Sequence, residues 1–195
     1  MPIFSSTIQN LVSNKSPQPY YRFDGANAFI NTGDVGFPDG LKEFSVSIWF
    51  KTEGDTNTNT AILSKDNVIE CWIKWGGNNR YALSVNNDHV DFTSSATPIG
   101  EWVNVVYTWT DAGDYRKLYQ NGVLIQTLTG NENGVPLAAN SIGLALGARA
   151  ENQYNVNGEI SSVRFYNKVL SVTEVEELYS GASVPFKYKG ASQTA

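Results

Sequence analysis

Phe44-Ser45-Val46-Ser47-Ile48-Trp49-Phe50-Lys51 decides the fold class. Phe44, Val46, Ile48 and Phe50 share one side of a two-residue repeat, with Ser45, Ser47, Trp49 and Lys51 on the other. Only a pleated strand puts these two sets on opposite faces. The run from Trp102 to Thr110 repeats the pattern, with Val103, Val105, Tyr107 and Trp109 on one face. The same period predicts strands at Tyr20–Phe23, Ala28–Asn31, Ala61–Ser64, Val68–Trp75, Tyr81–Val85, Arg116–Gln120, Val123–Leu128, Ser141–Leu146 and Glu159–Asn167.

Turn residues punctuate these runs. Asn121-Gly122 stands between Lys117-Leu118-Tyr119-Gln120 and Val123-Leu124-Ile125-Gln126. Asn-Gly favours the positive φ values of a type I′ turn, so this segment reads as a hairpin. Many short strands, about ten residues apart, predict an all-β, antiparallel, two-sheet jelly-roll β-sandwich. One short C-terminal helix is expected as well. Ser171-Val172-Thr173-Glu174 is a capping box, and Val172, Val175, Leu178 and Tyr179 recur at helical spacing up to Gly181. A helix that short is unstable alone and must dock its apolar stripe on the sandwich.

Composition bounds what such a chain does. Its 195 residues suit one domain, residues 20–181, with an N-terminal arm at 1–19 and a C-terminal tail at 182–195. The 5 Trp, 10 Tyr and 9 Phe supply a core that a disordered chain lacks. Charged residues are 17%, and 20 Asn, 17 Ser and 14 Thr take their place on the surface. The net charge is −5, and no Lys/Arg cluster offers the cationic footprint that nucleic acid requires. No apolar run approaches the ~20 residues that span a bilayer, so no membrane partner is expected. The opening Met1-Pro2-Ile3-Phe4-Ser5-Ser6-Thr7 lacks the basic and apolar regions of a signal peptide. Cys71 is the sole cysteine, which excludes an intrachain disulfide and Cys-based metal sites. Its apolar-rich surroundings point to a buried, inert thiol. Neither arm has the apolar content to fold unaided, so each is either disordered or tied to a partner.

Several segments in order resemble the laminin-G-like family of concanavalin A-type jelly rolls. They are Phe23-Asp24-Gly25 with Ala28-Phe29-Ile30, the Phe44–Thr52 run, Trp102–Tyr107 with Leu118–Gly122, and Gly158–Ser171 leading to Glu174. The resemblance spans about residues 20–181 and implies the fold; relatives bind glycans, bind proteins or act as spacers. Many relatives hold a structural calcium near the sandwich rim. Here the last-strand motif reads Gly158-Glu159-Ile160-Ser161 where the family has Gly-x-Ile-Asp. Asp24 remains a weak candidate ligand, with Asp34 near it in sequence, and organising a turn is its other reading. No cofactor is required.

Some jelly rolls of this type are glycanases, with Glu-x-Asp-x-Glu on one strand. The nearest match, Glu53-Gly54-Asp55-Thr56-Asn57, lies in a polar loop and lacks the last carboxylate. His89, the single histidine, has no nucleophile beside it and reads as a turn or strand-edge residue. The chain is therefore expected not to be an enzyme. A glycan site needs an aromatic plate for the C–H face of a sugar and fixed polar groups for its hydroxyls. Two loops offer these: Trp75 with Asn78, Asn79 and Arg80, and the 149–155 segment with Tyr154 and Asn155. Trp49 and Trp72 lie on the polar faces of their strands, where they either bind a ligand or cover a second small core.

The expectation is a non-enzymatic, lectin-like interaction module. It would sit on a phage virion surface as a capsid decoration or attachment protein, in a homo-oligomeric assembly. The arms would grip other virion proteins, and the sandwich would face outward with possible glycan binding. The alternatives are an extracellular adhesin domain from a larger secreted protein and, third, a glycan-cleaving enzyme.

Overall fold

The computed structural model describes residues 20–34, 38–54, 59–74, 76, 80–93, 96–149 and 153–180; both arms lie outside them. In chain order the strands are β1 (Tyr21–Asp24), β2 (Ile30–Asn31), β3 (Glu43–Thr52), β4 (Thr60–Lys65), β5 (Ile69–Lys74) and β6 (Tyr81–Val85). Then come β7 (Asp88–Phe92), β8 (Val103–Thr110), β9 (Tyr115–Gln120), β10 (Val123–Thr129), β11 (Ala145–Leu146), β12 (Asn157–Tyr166) and helix α1 (Val172–Ser180). They form two six-stranded antiparallel sheets. The β3 sheet runs β1-β12-β3-β8-β9-β10, and the β5 sheet runs β2-β11-β4-β5-β6-β7. This is the jelly-roll β-sandwich that the two-residue period predicts.

The inward face of β3 supplies Phe44, Val46, Ile48 and Phe50, all 0% exposed, and these meet Ile62, Cys71, Leu83 and Phe92 of the β5 sheet. Burial pushes the Cys71 thiol far up, which keeps it protonated and inert. The opposite face of the β3 sheet is covered in part by α1. Val175 and Leu178 pack on Val106, Tyr119 and Leu170, and Tyr179 stacks on Trp49 with ring centroids 5.8 Å apart. Trp49 is thus half-buried against the helix. The capping box forms: Glu174 N–H donates to Ser171 Oγ (3.3 Å), and Ser171 N–H donates to Glu174 Oε2 (2.8 Å).

Three strand readings need correction, each for a local reason. The Ala28–Asn31 strand shrinks to Ile30–Asn31, because Asp24 Oδ1 accepts the N–H groups of Ala26, Asn27 and Ala28. Ser141–Leu146 shrinks to Ala145–Leu146, since Asn140 Oδ1 captures the N–H of Ile142 and its amide donates to Asp66 O. β7 is a strand outside those the period predicts, with two residues between it and β6 and with Asp88, His89 and Asp91 breaking its apolar rhythm. Its signal is Asn86-Asn87, both at positive φ (50° and 66°), which is the conformation of a type I′ hairpin turn. Asn121-Gly122 adopts the same form, at 51° and 81°.

One charge network crosses the interior. Arg116 is 0% exposed and donates to Asp114 Oδ1 (3.0 Å) and Oδ2 (2.8 Å). It also donates to Asp88 Oδ2 (2.6 Å), Asp88 O (2.7 Å) and Leu83 O (3.2 Å) in the other sheet. Trp109 Nε1 donates to Asp114 Oδ1 at 2.7 Å. Removing the cation strands two carboxylates, one of them fully buried. Arg116→Met should therefore lose about 3–5 kcal/mol of stability, read from urea-unfolding midpoints against wild type.

Candidate functional site

The outer face of the β5 sheet carries two of the predicted site residues, Tyr154 and Arg80. Alternation along β5 turns Ile69, Cys71 and Ile73 into the core and Glu70, Trp72 and Lys74 outward. Register then lines up two transverse rows. Ser64, Glu70, Ser84 and His89 form one, and Ala61, Trp72, Ala82 and Asp91 the other. Alanines on both sides of Trp72 leave room for its indole to lie down over the sheet, where it is 1% exposed.

The segment from β11 to β12 covers this face. It turns at Gly147 (φ +80°), where a Cβ would collide with the Phe23 ring, so that position tolerates glycine alone. The Ala61 N–H donates to Tyr154 O (2.9 Å), and Arg149 N–H donates to Gln153 O (2.8 Å), which docks the segment along β4. Arg149 then reaches down, with Nε 2.7 Å from Glu70 Oε1 and Nη2 2.5 Å from Asp66 Oδ1. Glu70 is 0% exposed, and burial raises its pKa against the pull of Arg149. Tyr154 takes a positive φ of 54°, uncommon for an aromatic residue, which sets its ring edge-on to Trp72 at 5.5 Å. That ring is 37% exposed. Beyond it, the His89 ring lies 6.3 Å from Trp72. Burial raises the Asp91 carboxyl, and the charges of Arg80 and His89 oppose that rise.

Among the predicted site residues, Tyr154 and Arg80 therefore belong to one face. Asn155 is only 5% exposed and is engaged within the protein. Trp75, Asn78 and Asn79 lie outside the described residues. Sequence reasoning named the 149–155 segment without singling out Arg149, and did not assign His89 or Asp91 to this site; the alanines flanking Trp72 become a signal only once the register is known. His89 does sit on an edge strand, β7.

The carboxylates named for other roles are engaged elsewhere. Glu53 pairs with Arg22, which also approaches Glu159 at 3.5 Å. Asp34 lies 3.5 Å and Asp39 2.6 Å from Nζ of the buried Lys65. Asp24 Oδ1 faces three backbone N–H hydrogens at 2.8–2.9 Å, a cradle that fits an anion and not a cation on that oxygen. Among the described residues no group of three or more His, Cys, Asp or Glu converges.

A family model for the concanavalin A-like lectin/glucanases superfamily, laminin G type, matches residues 24–176. The chain belongs to that superfamily. Solved structures with the same fold include domain 4 of the extracellular arabinanase AbnA from Geobacillus stearothermophilus, in complex with arabinotriose. It is 24% identical, with 80% of this chain and 74% of that one covered at a TM-score of 0.62. A heptameric SAP-like pentraxin from Limulus polyphemus is 17% identical over 80% and 83%, at 0.57. A putative carbohydrate binding protein from Bacteroides ovatus is 13% identical over 80% and 45%, at 0.65. These identities show the fold alone. A search of curated proteins gives no match.

The Asp24 cradle carries a pH signature. Its three N–H donors hold the carboxyl at about 2, below the ordinary 3.8. As pH falls, the unfolded chain takes up this proton before the native state does. The stabilisation is thus full above the ordinary value and lost as pH falls toward the native one. Asp24→Ala should melt below wild type at neutral pH, and the gap should close between about pH 4 and pH 2 in thermal scans.

Proposed function

We propose that this superfamily member is a non-catalytic glycan-binding module whose sugar site is the outer face of the β5 sheet. The observation that carries the reading is Tyr154, a partly exposed ring packed edge-on against Trp72, with Arg149 beside it and His89 against the same Trp72 indole. An aromatic plate with fixed donors and acceptors around it suits a pyranose: C–H groups on the ring, hydroxyls on the polar rim. Domain 4 of the arabinanase, solved with arabinotriose, makes a carbohydrate ligand chemically reasonable for this fold. Glu70, the carboxyl with the raised pKa, lies sealed beneath Arg149 and 0% exposed, which suits a structural anchor better than a general acid.

The setting in this proposal is a virion surface, with copies gripped through residues 1–19 and 182–195 and the sandwich presented outward. A low charged fraction of 17% and an amide- and hydroxyl-rich composition accord with that role.

On a glycan array, the wild-type chain should retain at least one sugar class, and Tyr154→Ala should weaken it roughly tenfold with the melting temperature nearly kept. Reducing-sugar release from the bound glycan should stay at background. Turnover that vanishes in Glu70→Gln would replace this reading with a hydrolase. For the setting, removal of residues 1–19 should abolish copurification with particles; unchanged association would refute that arm's anchoring role.

A further inference from the structure

Helix α1 covers only part of the outer face of the β3 sheet. Beside it a groove of about 370 Å³ is lined by Thr108, Thr110, Tyr115, Lys117, Thr127 and Val169. Register explains this company. Thr108, Lys117 and Thr127 stand in one transverse row across β8, β9 and β10, and Thr110, Tyr115 and Thr129 in the next. The threonine methyls and Val169 make an apolar floor that still presents hydroxyls.

Tyr115 is the plate of this groove, 49% exposed. Its ring lies against Gly113 (φ +83°), where any Cβ would collide with it. The turn behind the ring is pinned as well: Gly113 N–H donates to Asn133 Oδ1 at 2.8 Å, and Asp114 is held by Arg116 and Trp109. The turn that carries the ring is therefore held in place before any ligand arrives. Lys117 makes no ion pair with another described residue. On the same face, Glu43 stands opposite Thr110, two strands from Lys117 and one row along. A neighbouring groove of about 300 Å³ differs in this respect, since Glu174 and Glu177 line it together with Arg164 and Lys168, and Lys168 pairs with Glu174.

We propose that the Tyr115–Lys117 groove is a second sugar subsite, selective for a residue that bears a carboxylate. The proposal takes its ligand class from the glycan-binding reading but rests on a different face of the molecule. The sugar's C–H face packs on Tyr115, its hydroxyls exchange hydrogen bonds with Thr108, Thr110 and Thr127, and its carboxylate meets the Lys117 ammonium. A neutral sugar makes the first two contacts and lacks the third. The groove is open to solvent, so the charge contributes about a tenfold preference, which added salt weakens.

The test titrates the isotope-labelled full chain with a uronic-acid disaccharide and, separately, with its carboxyl-reduced neutral partner, followed by NMR. The acidic probe should shift the amides of Tyr115, Lys117 and Thr127 and bind about tenfold more tightly at low salt. Lys117→Gln should bring the two affinities together, and Tyr115→Ala should abolish the groove shifts for both sugars. Tyr154→Ala should leave those shifts intact, which separates this subsite from the β5-sheet face. Melting curves check that each variant is folded. An acidic probe that shifts none of these amides at millimolar concentration overturns the proposal. So does equal affinity for the two sugars, or a preference that survives in Lys117→Gln.

Discussion

A guanidinium shut inside a β-sandwich must find every partner within the protein, and Arg116 finds them in both sheets at once. Apolar contact between sheets is strong but non-directional; it holds the layers together without fixing how far one slides over the other. Hydrogen bonds from Arg116 to Leu83 O and Asp88 O remove that freedom. Asp88 opens β7, so the clamp sets where His89 and Asp91 stand on one outer face. Asp114 ends the turn before β9, so it sets where Tyr115 stands on the other. Two faces on opposite sides of the molecule therefore depend on one buried cation and its carboxylates.

Each outer face is partly closed, and on each an aromatic ring stays partly exposed beside the closure. On the β5 sheet, the Arg149 pairs with Glu70 and Asp66 hold down the segment that carries Tyr154. On the β3 sheet, α1 takes the Trp49 and Tyr119 side, and the Tyr115 side stays open. A ring packed edge-on against Trp72 in one case, and carried by the pinned Gly113 turn in the other, loses little freedom when a ligand settles on it. That is a physical reason to look for binding at these two places rather than at the more freely exposed Tyr21, which is 67% accessible.

Much of the fold was legible because its determinants are local. β3 and β8 could be read from alternation, the β9–β10 hairpin from Asn121-Gly122, and α1 from its capping box. β7 escaped because a charged edge strand lacks an apolar rhythm, and its Asn-Asn turn is a quieter signal than Asn-Gly. β2 and β11 came out shorter than their patterns suggested, because Asp24 and Asn140 draw backbone N–H groups into turns. The site was less legible. Tyr154 and Arg80 read as loop residues with site chemistry, but Asn155 reads the same in sequence and is buried. Glu70 and Trp72 look like a solvent face and are covered instead.

The order of residues was enough to establish a two-sheet antiparallel sandwich with a docked helix, since side-chain alternation, turn preference and capping act over a few neighbours. It could not say which residues of distant strands lie side by side. Strand register put Trp72 between Ala61 and Ala82, and Tyr115 and Lys117 among the threonines of β8 and β10. Those pairings join segments far apart in the chain, and a short stretch of sequence carries no record of the partner that it meets across a sheet.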